Sequence, residues 1–337
     1  MDKKTKSFIQ YVVLLSVGGL LIYLSIKRTA VSKEEIFNAF SNANWFWITV
    51  SVIISFFSHF VRAYRWNYLL ENYNHQTDLP TSLASVFIGY LANYGLPRMG
   101  EISRCAVVNK YNKVPIDIAL GTVIAERVVD LLLMFVVFLL IVFFQYADLE
   151  SLLQQYIIYP LQMKMQHTNW TLLVILMMAG LGVLFFLLSR KKNNSASLMD
   201  KILSFIQNII RPLLSIHKIR RPVGFWGWSV VIWCLYFLSM YFCALSMSAT
   251  EALGVFKILV LFLFGTVGVI VTPGGIGAYH FLITEILLFY DVDKASAVAF
   301  PWIIWGTQFL LILLAGGLAF VLLPVIHSKK SDHAKLQ

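Results

Sequence analysis

Arginines and carboxylates recur at short intervals in stretches of this chain that are otherwise apolar. Arg98, Glu101 and Arg104 stand at i, i+3 and i+6 in the run Asn93-Tyr94-Gly95-Leu96-Pro97-Arg98-Met99-Gly100-Glu101-Ile102-Ser103-Arg104. On a helix that spacing puts all three near one face. A planar guanidinium fork suits phosphate and carboxylate, and a glutamate between two arginines can hold them oriented while a site is empty. Gly95, Pro97 and Gly100 break the helix and free backbone groups for a polar headgroup. A solvated cytoplasmic turn would carry the same residues.

Glu126, Arg127 and Asp130 lie inside the apolar run 118–146. Charges at bilayer depth cost at least about 2.5 kcal/mol each, so they are seldom left facing lipid. Glu126 and Asp130 form an i,i+4 pair, with Arg127 about 100° round the helix from Glu126. Arg98 and Arg104 are the natural partners of the two carboxylates. Such a network either holds a bundle together or forms a headgroup or proton-coupling site. Arg62 and Arg65 follow the run 45–61, where snorkelling is as good a reading as function. In Thr272-Pro273-Gly274-Gly275-Ile276-Gly277 the glycines permit close backbone approach, and free N–H groups at the following helix start attract anions. Tight helix packing is the alternative there. His280, Glu285 and the three cysteines have no ligand spacing, so no metal, cofactor or disulfide framework is expected.

The elements that must position these groups follow from composition. Of 337 residues, 59% are hydrophobic and 13% charged, and mean hydropathy is +0.75. A soluble domain carries about a quarter charged residues. The chain therefore reads as an all-α polytopic membrane protein. Six runs suit full transmembrane helices: 8–26, 45–61, 118–146, 170–189, 225–247 and 295–323, the last with a kink expected at Pro301. The first follows Lys3, Lys4 and Lys6 without a small-residue cleavage site and reads as a retained helix. Two apolar regions, 81–114 and 252–290, are broken by Pro, Gly and charge.

Lysine and arginine concentrate in cytoplasmic loops. Residues 190–222 hold eight of them against Asp200, whereas 148–169 hold Asp148 and Glu150 against Lys164. The first loop is thus expected inside and the second outside, with both termini cytoplasmic. Parity then requires 81–114 to begin and end inside and 252–290 to begin and end outside. Each reads as a re-entrant or broken helical hairpin. Two such dips from opposite faces suggest an inverted-topology repeat, in which broken helices meet near the midplane. Residues 1–327 read as one transmembrane domain and 328–337 as a basic tail. Within 190–222, Leu198, Ile202, Phe205 and Ile209 share one face, as in a basic amphipathic helix lying on the inner leaflet or a plain positive-inside linker.

Taken together, Arg62-Ala63-Tyr64-Arg65-Trp66, the block 93–104, Ala125-Glu126-Arg127-Val128-Val129-Asp130 and the 272–277 turn resemble the lysylphosphatidylglycerol synthase transmembrane-region family, in that family's order and over nearly the whole chain. The resemblance implies movement of charged or aminoacylated phospholipids between leaflets of the plasma membrane. It also implies membrane phospholipids as partners, with Arg62, Arg65, Asn93, Pro97, Arg98, Glu101, Arg104, Glu126, Arg127, Asp130, Pro273, Gly274, Gly275 and Gly277 as the substrate-binding set. Bifunctional members add a cytosolic aminoacyl-transferase domain, which is not expected here, so a lipid synthase on a separate chain is a further candidate partner. Where many relatives carry a glutamate just after the Gly-rich turn, this sequence has Ala278-Tyr279-His280. No nucleophile, DxD pair or Walker loop is evident, and nothing points to nucleic acid. The alternative to a transporter is a membrane transferase on a phospholipid or polyprenyl-phosphate, with Glu101, Glu126 or Asp130 as base.

Overall fold

The computed structural model describes residues 3–95, 99–159, 162 and 222–335. The expected span 170–189, nearly all of the basic segment 190–222, and Pro97 and Arg98 lie outside the described residues. The described helices, numbered in chain order, are α1 (Lys3–Thr29), α2 (Lys33–Ser41), α3 (Trp45–Glu71), α4 (Leu79–Gly95), α5 (Met99–Asn112), α6 (Ile116–Phe144), α7 (Tyr146–Leu153), α8 (Pro222–Ala244), α9 (Ser248–Glu251), α10 (Gly254–Val271), α11 (Ala278–Phe289) and α12 (Lys294–Lys335). No strand occurs among the described residues. Helices α3, α6, α8, α10 and the 294–328 part of α12 are long and apolar enough to cross a membrane.

Local signals explain several boundaries. Asn44 caps α3 by accepting from the Phe46 N–H at 3.0 Å, which satisfies one donor that a helix start leaves free. Ser32 and Glu35 form a reciprocal capping box on α2. The Ser32 N–H and hydroxyl both donate to Glu35 and hold its carboxyl below the usual range. Helix α12 runs unbroken through Pro301 and Pro324, although each proline lacks the N–H of an i→i−4 bond.

Both broken regions are helical hairpins. Helices α4 and α5 cross where Gly89 meets Gly100: a β-carbon on Gly89 would lie 2.9 Å from the Gly100 carbonyl oxygen. Helices α10 and α11 meet at Gly268, where a β-carbon would lie 2.7 Å from Tyr279 Cα. Helix α10, with 18 residues, is about 27 Å long, and α11, with 12, about 18 Å, at 1.5 Å per residue. Helix α11 is therefore shorter than a hydrocarbon core of about 30 Å. A chain running 252–290 without a break would have passed right through.

Contacts at the helix ends give the two hairpins opposite directions. The Asn44 N–H donates to the Ser246 carbonyl at 2.7 Å, so α3 begins where α8 ends. At the other end, Thr81 of α4 bonds His327 of α12 at 2.8 Å and Tyr111 of α5 packs on the same His327 ring. The first hairpin thus opens beside the far end of α12. The second opens at the α8 C-terminal end, where Lys257 lies 4.8 Å from the Tyr290 ring. The order span, hairpin, span occurs twice, as α3, α4–α5, α6 and as α8, α10–α11, α12, with the hairpins pointing in opposite senses.

Contacts divide the chain into two compact units, 1–141 with 212–337, and 142–211. In the second, α7 and the π-helical turn Gln154–Ile158 are described. Within the first, Trp66, Leu70, Cys105, Val123, Val129 and Phe225 are buried together where α3, α5, α6 and α8 meet.

Candidate functional site

Helix α3 carries a buried polar stripe: Ser51, Ser55, Ser58, His59, Arg62 and Arg65. Spacings of three and four residues keep them on one face. The outer part is fastening. Ser51 Oγ donates to the Ser239 carbonyl at 2.7 Å and Ser239 Oγ returns the bond to the Ser51 carbonyl at 3.0 Å, clamping α3 to α8 as small polar residues do in membranes. Ser55 donates to Gln308 of α12.

The inner part is an ion cluster. Arg62 pairs with Asp130 and donates to the Tyr90 hydroxyl at 2.6 Å. Arg65, fully buried, contacts Glu126 and Asp130 at 3.2 Å each and donates to Ser229 Oγ at 3.0 Å. Arg104 reaches Glu126 at 2.6 Å, with its guanidinium 3.7 Å from the Trp66 ring centroid. Three guanidiniums therefore surround two carboxylates, and the buried cluster carries one excess positive charge among the described residues. Charges this far from water persist only when paired and hydrogen-bonded. Arg104 is incompletely satisfied, because Nε and Nη2 have no partner among the described residues. These two atoms form one edge of the guanidinium, and their N–H bonds point the same way.

Arg104 also lines a narrow cleft of about 20 Å3, together with Arg62, Tyr90, Asn93, Gly100, Glu101 and Arg127 among others. Asn93 Oδ1 accepts from the Gly100 N–H at 2.8 Å and fixes the mouth of the α4–α5 hairpin.

The sequence model of the family described as Lysylphosphatidylglycerol synthase TM region matches residues 9–316. The chain belongs to this family. A UPF0104 membrane protein of Methanocaldococcus jannaschii is 24% identical over 224 residues, covering 66% of this chain and 89% of the relative. No solved structure matches.

In this member of the family, Arg62, Arg65, Arg104, Glu126 and Asp130 come together, whereas Glu101 and Arg127 form a separate, more exposed pair at 3.0 Å. Glu101 was expected to brace Arg104. Arg104 reaches Glu126, one of the two carboxylates expected as its partners, and Glu101 goes to Arg127, because Glu101 and Arg104, one turn apart on α5, face the adjacent residues Arg127 and Glu126 of α6. Snorkelling does not describe Arg62 and Arg65, which are 3% and 0% exposed. Their carboxylate partners on α6 hold them inside. The stripe Ser51, Ser55, Ser58 and His59 escaped the sequence reading. Its signal was the same three-and-four spacing, hidden within a run scored only for hydropathy.

The Gly-rich turn is a packing joint. Gly274 and Gly277 have φ of +62° and +84°, a region that favours glycine. Gly277 lies against the Gly18 backbone of α1, and a β-carbon on Gly274 would lie 2.5 Å from the Tyr94 ring. Pro273 and Gly275 are buried. The Gly275 and Ile276 N–H groups donate within the turn to the Thr272 and Pro273 carbonyls at 2.9 and 3.3 Å. The tips of the two hairpins touch through Tyr94 and Gly274, and Trp305 Nε1 donates to the Gly274 carbonyl at 2.7 Å.

Proposed function

We propose that the protein moves an anionic or zwitterionic phospholipid, or a lipid phosphate, between the leaflets of the plasma membrane, with both termini cytoplasmic, and that the phosphate docks on Arg104 in the cleft beside the α4–α5 hairpin. The carrying observation is the unpartnered Nε and Nη2 edge of a buried arginine lining that cleft. A buried donor without an acceptor costs about 1–3 kcal/mol, more when charged, and two phosphate oxygens match the edge in a bidentate pair. The excess positive charge of the cluster favours the same ligand. Two hairpins entering from opposite ends and touching at their tips suit alternating access around a fixed site.

Transport is the better reading over group transfer. A general base needs a carboxylate free to take a proton. Glu126 and Asp130 each contact two arginines, and Glu101 pairs with Arg127 through Oε1 while its buried Oε2 has no hydrogen-bond partner among the described residues.

Reconstitution with fluorescent phosphatidylglycerol, phosphatidylethanolamine and a polyprenyl phosphate, read with a membrane-impermeant quencher, tests the proposal. Wild-type protein should exchange at least one of them faster than empty liposomes. Arg104→Gln should slow that exchange roughly tenfold or more, the worth of a charged hydrogen bond, at equal membrane insertion. Rates equal to empty liposomes for all three lipids would overturn it.

A further inference from the structure

Helix α3 carries one more buried ionisable group, which the phosphate site leaves unused. His59 lies three residues before Arg62, is 6% exposed, and neither ring nitrogen has a hydrogen-bond partner among the described residues. An ionisable side chain in a membrane-spanning helix is expensive and marks ion or proton pathways. Its surroundings connect it to the cluster. The His59 ring packs on Tyr90 of α4 at 5.0 Å and Tyr236 of α8 at 6.5 Å, with Phe87 of α4 at 5.3 Å. The Arg62 guanidinium lies 5.9 Å from each of the same two tyrosine rings. Histidine and arginine thus share one pair of aromatic neighbours.

The groups facing His59 are few. Its own helix offers Arg62, α4 offers Tyr90 and α8 offers Tyr236. Helix α12 packs on α3 through the Gln308 amide, which holds Ser55 and keeps Nε2 unpartnered. The α6 carboxylates Glu126 and Asp130 are engaged by Arg62, Arg65 and Arg104. A protonated His59 would therefore meet a like charge at Arg62 and a cluster already in positive excess, with no acceptor of its own.

Anion binding reverses that balance. We propose that His59 is a proton-binding site coupled to the cluster: a phosphate docking on Arg104 offsets the excess positive charge, and His59 then takes a proton from hydronium onto a free ring nitrogen. An N–H bond forms, an O–H bond of hydronium breaks, and water is left. The proposal rests on the phosphate reading above and adds an energy source to it. Coupling is reciprocal, so a proton on His59 tightens the anion by the same factor by which the anion tightens the proton. An unperturbed histidine changes charge between about pH 5 and 8, the range toward which a neighbouring anion returns a buried one.

The test uses the purified full chain in detergent and soluble dihexanoyl phosphatidylglycerol as probe, by calorimetry in buffers of differing ionisation enthalpy. Binding to wild-type protein near pH 6.5 should take up about half a proton per probe and tighten on the order of tenfold from pH 8 to pH 5.5. His59→Gln should bind the probe without uptake and without pH dependence, and His59→Asn serves if the first variant does not fold. Binding by wild-type protein with no proton uptake overturns the coupling and leaves the phosphate site standing. Uptake that persists in a folded His59 variant overturns the assignment to His59. No binding at any pH from 5 to 8 removes both readings together.

Discussion

Arg65 has no exposure to solvent and touches both Glu126 and Asp130, so each carboxylate is shared by two cations. Such a network responds unequally to its removal. Taking away one carboxylate leaves guanidiniums buried without a counter-charge, which costs about 3–5 kcal/mol, whereas removing both partners together costs less. Glu126→Gln should thus destabilise the protein more than the pair Glu126→Gln with Arg104→Gln. Unfolding in sodium dodecyl sulfate, run as a double-mutant cycle, should give a coupling of about 0.5–3 kcal/mol between them. A coupling near zero would mean that Arg104 and Glu126 act independently. The charges of this site were legible in the sequence because ionisable groups in an apolar run demand partners. Their pairing was legible in part: Arg104 reaches Glu126, one of the two α6 carboxylates expected as its partners, whereas Glu101, which spacing along α5 suggested as a brace for Arg104, goes to Arg127.

Helices here approach most closely where glycine removes the side chain, and the positions fall into two kinds. At Gly18 an added β-carbon would lie 2.5 Å from the Ile276 carbonyl oxygen, whereas at neighbouring Gly19 nothing lies within 4 Å. The same contrast separates Gly100, pressed against Gly89 and Asn93, from Gly121, which has open space. Gly18→Ala and Gly100→Ala should each lower the thermal midpoint of the purified protein by several degrees, since backbone must move to admit the methyl group. Gly19→Ala and Gly121→Ala should leave it unchanged or slightly raised, because alanine is the better helix former. Equal midpoints for Gly18→Ala and Gly19→Ala would deny α1 its close seat on the Gly-rich turn. The turn itself could be located from Thr272-Pro273-Gly274-Gly275-Ile276-Gly277, since only glycine adopts such φ values without strain. What it does could not be read there, because packing and anion binding ask for the same glycines. The donors on Gly275 and Ile276 bond inside the turn, and those that an anion would use belong to the helix start that follows.

Two hairpins that open at opposite ends of the bundle fix which loops must share a side of the membrane, and the charge count supplies the absolute direction. The link 72–78 between α3 and α4 leads into Thr81, which meets His327 near the end of α12. The link after α8 lies with the start of α3 through Ser246 and Asn44. These two groups of ends are separated by the length of α3, 27 residues or about 40 Å of helix, enough to cross a bilayer with some tilt. In the topology proposed from the lysine and arginine count, the first group lies inside. Single cysteines at Gln76, Ser248 and Ser328, all exposed, in a background lacking Cys105, Cys234 and Cys243, read the arrangement directly. A membrane-impermeant maleimide added to intact cells should label Ser248→Cys and spare Gln76→Cys and Ser328→Cys, which become reactive when the cells are opened. Labelling of Gln76→Cys and Ser248→Cys from the same face would break the opposed-hairpin architecture and, with it, the alternating-access reading. Labelling of Gln76→Cys and Ser328→Cys alone from outside would keep the architecture and invert it, so that Arg104 would face a phosphate arriving from the external leaflet.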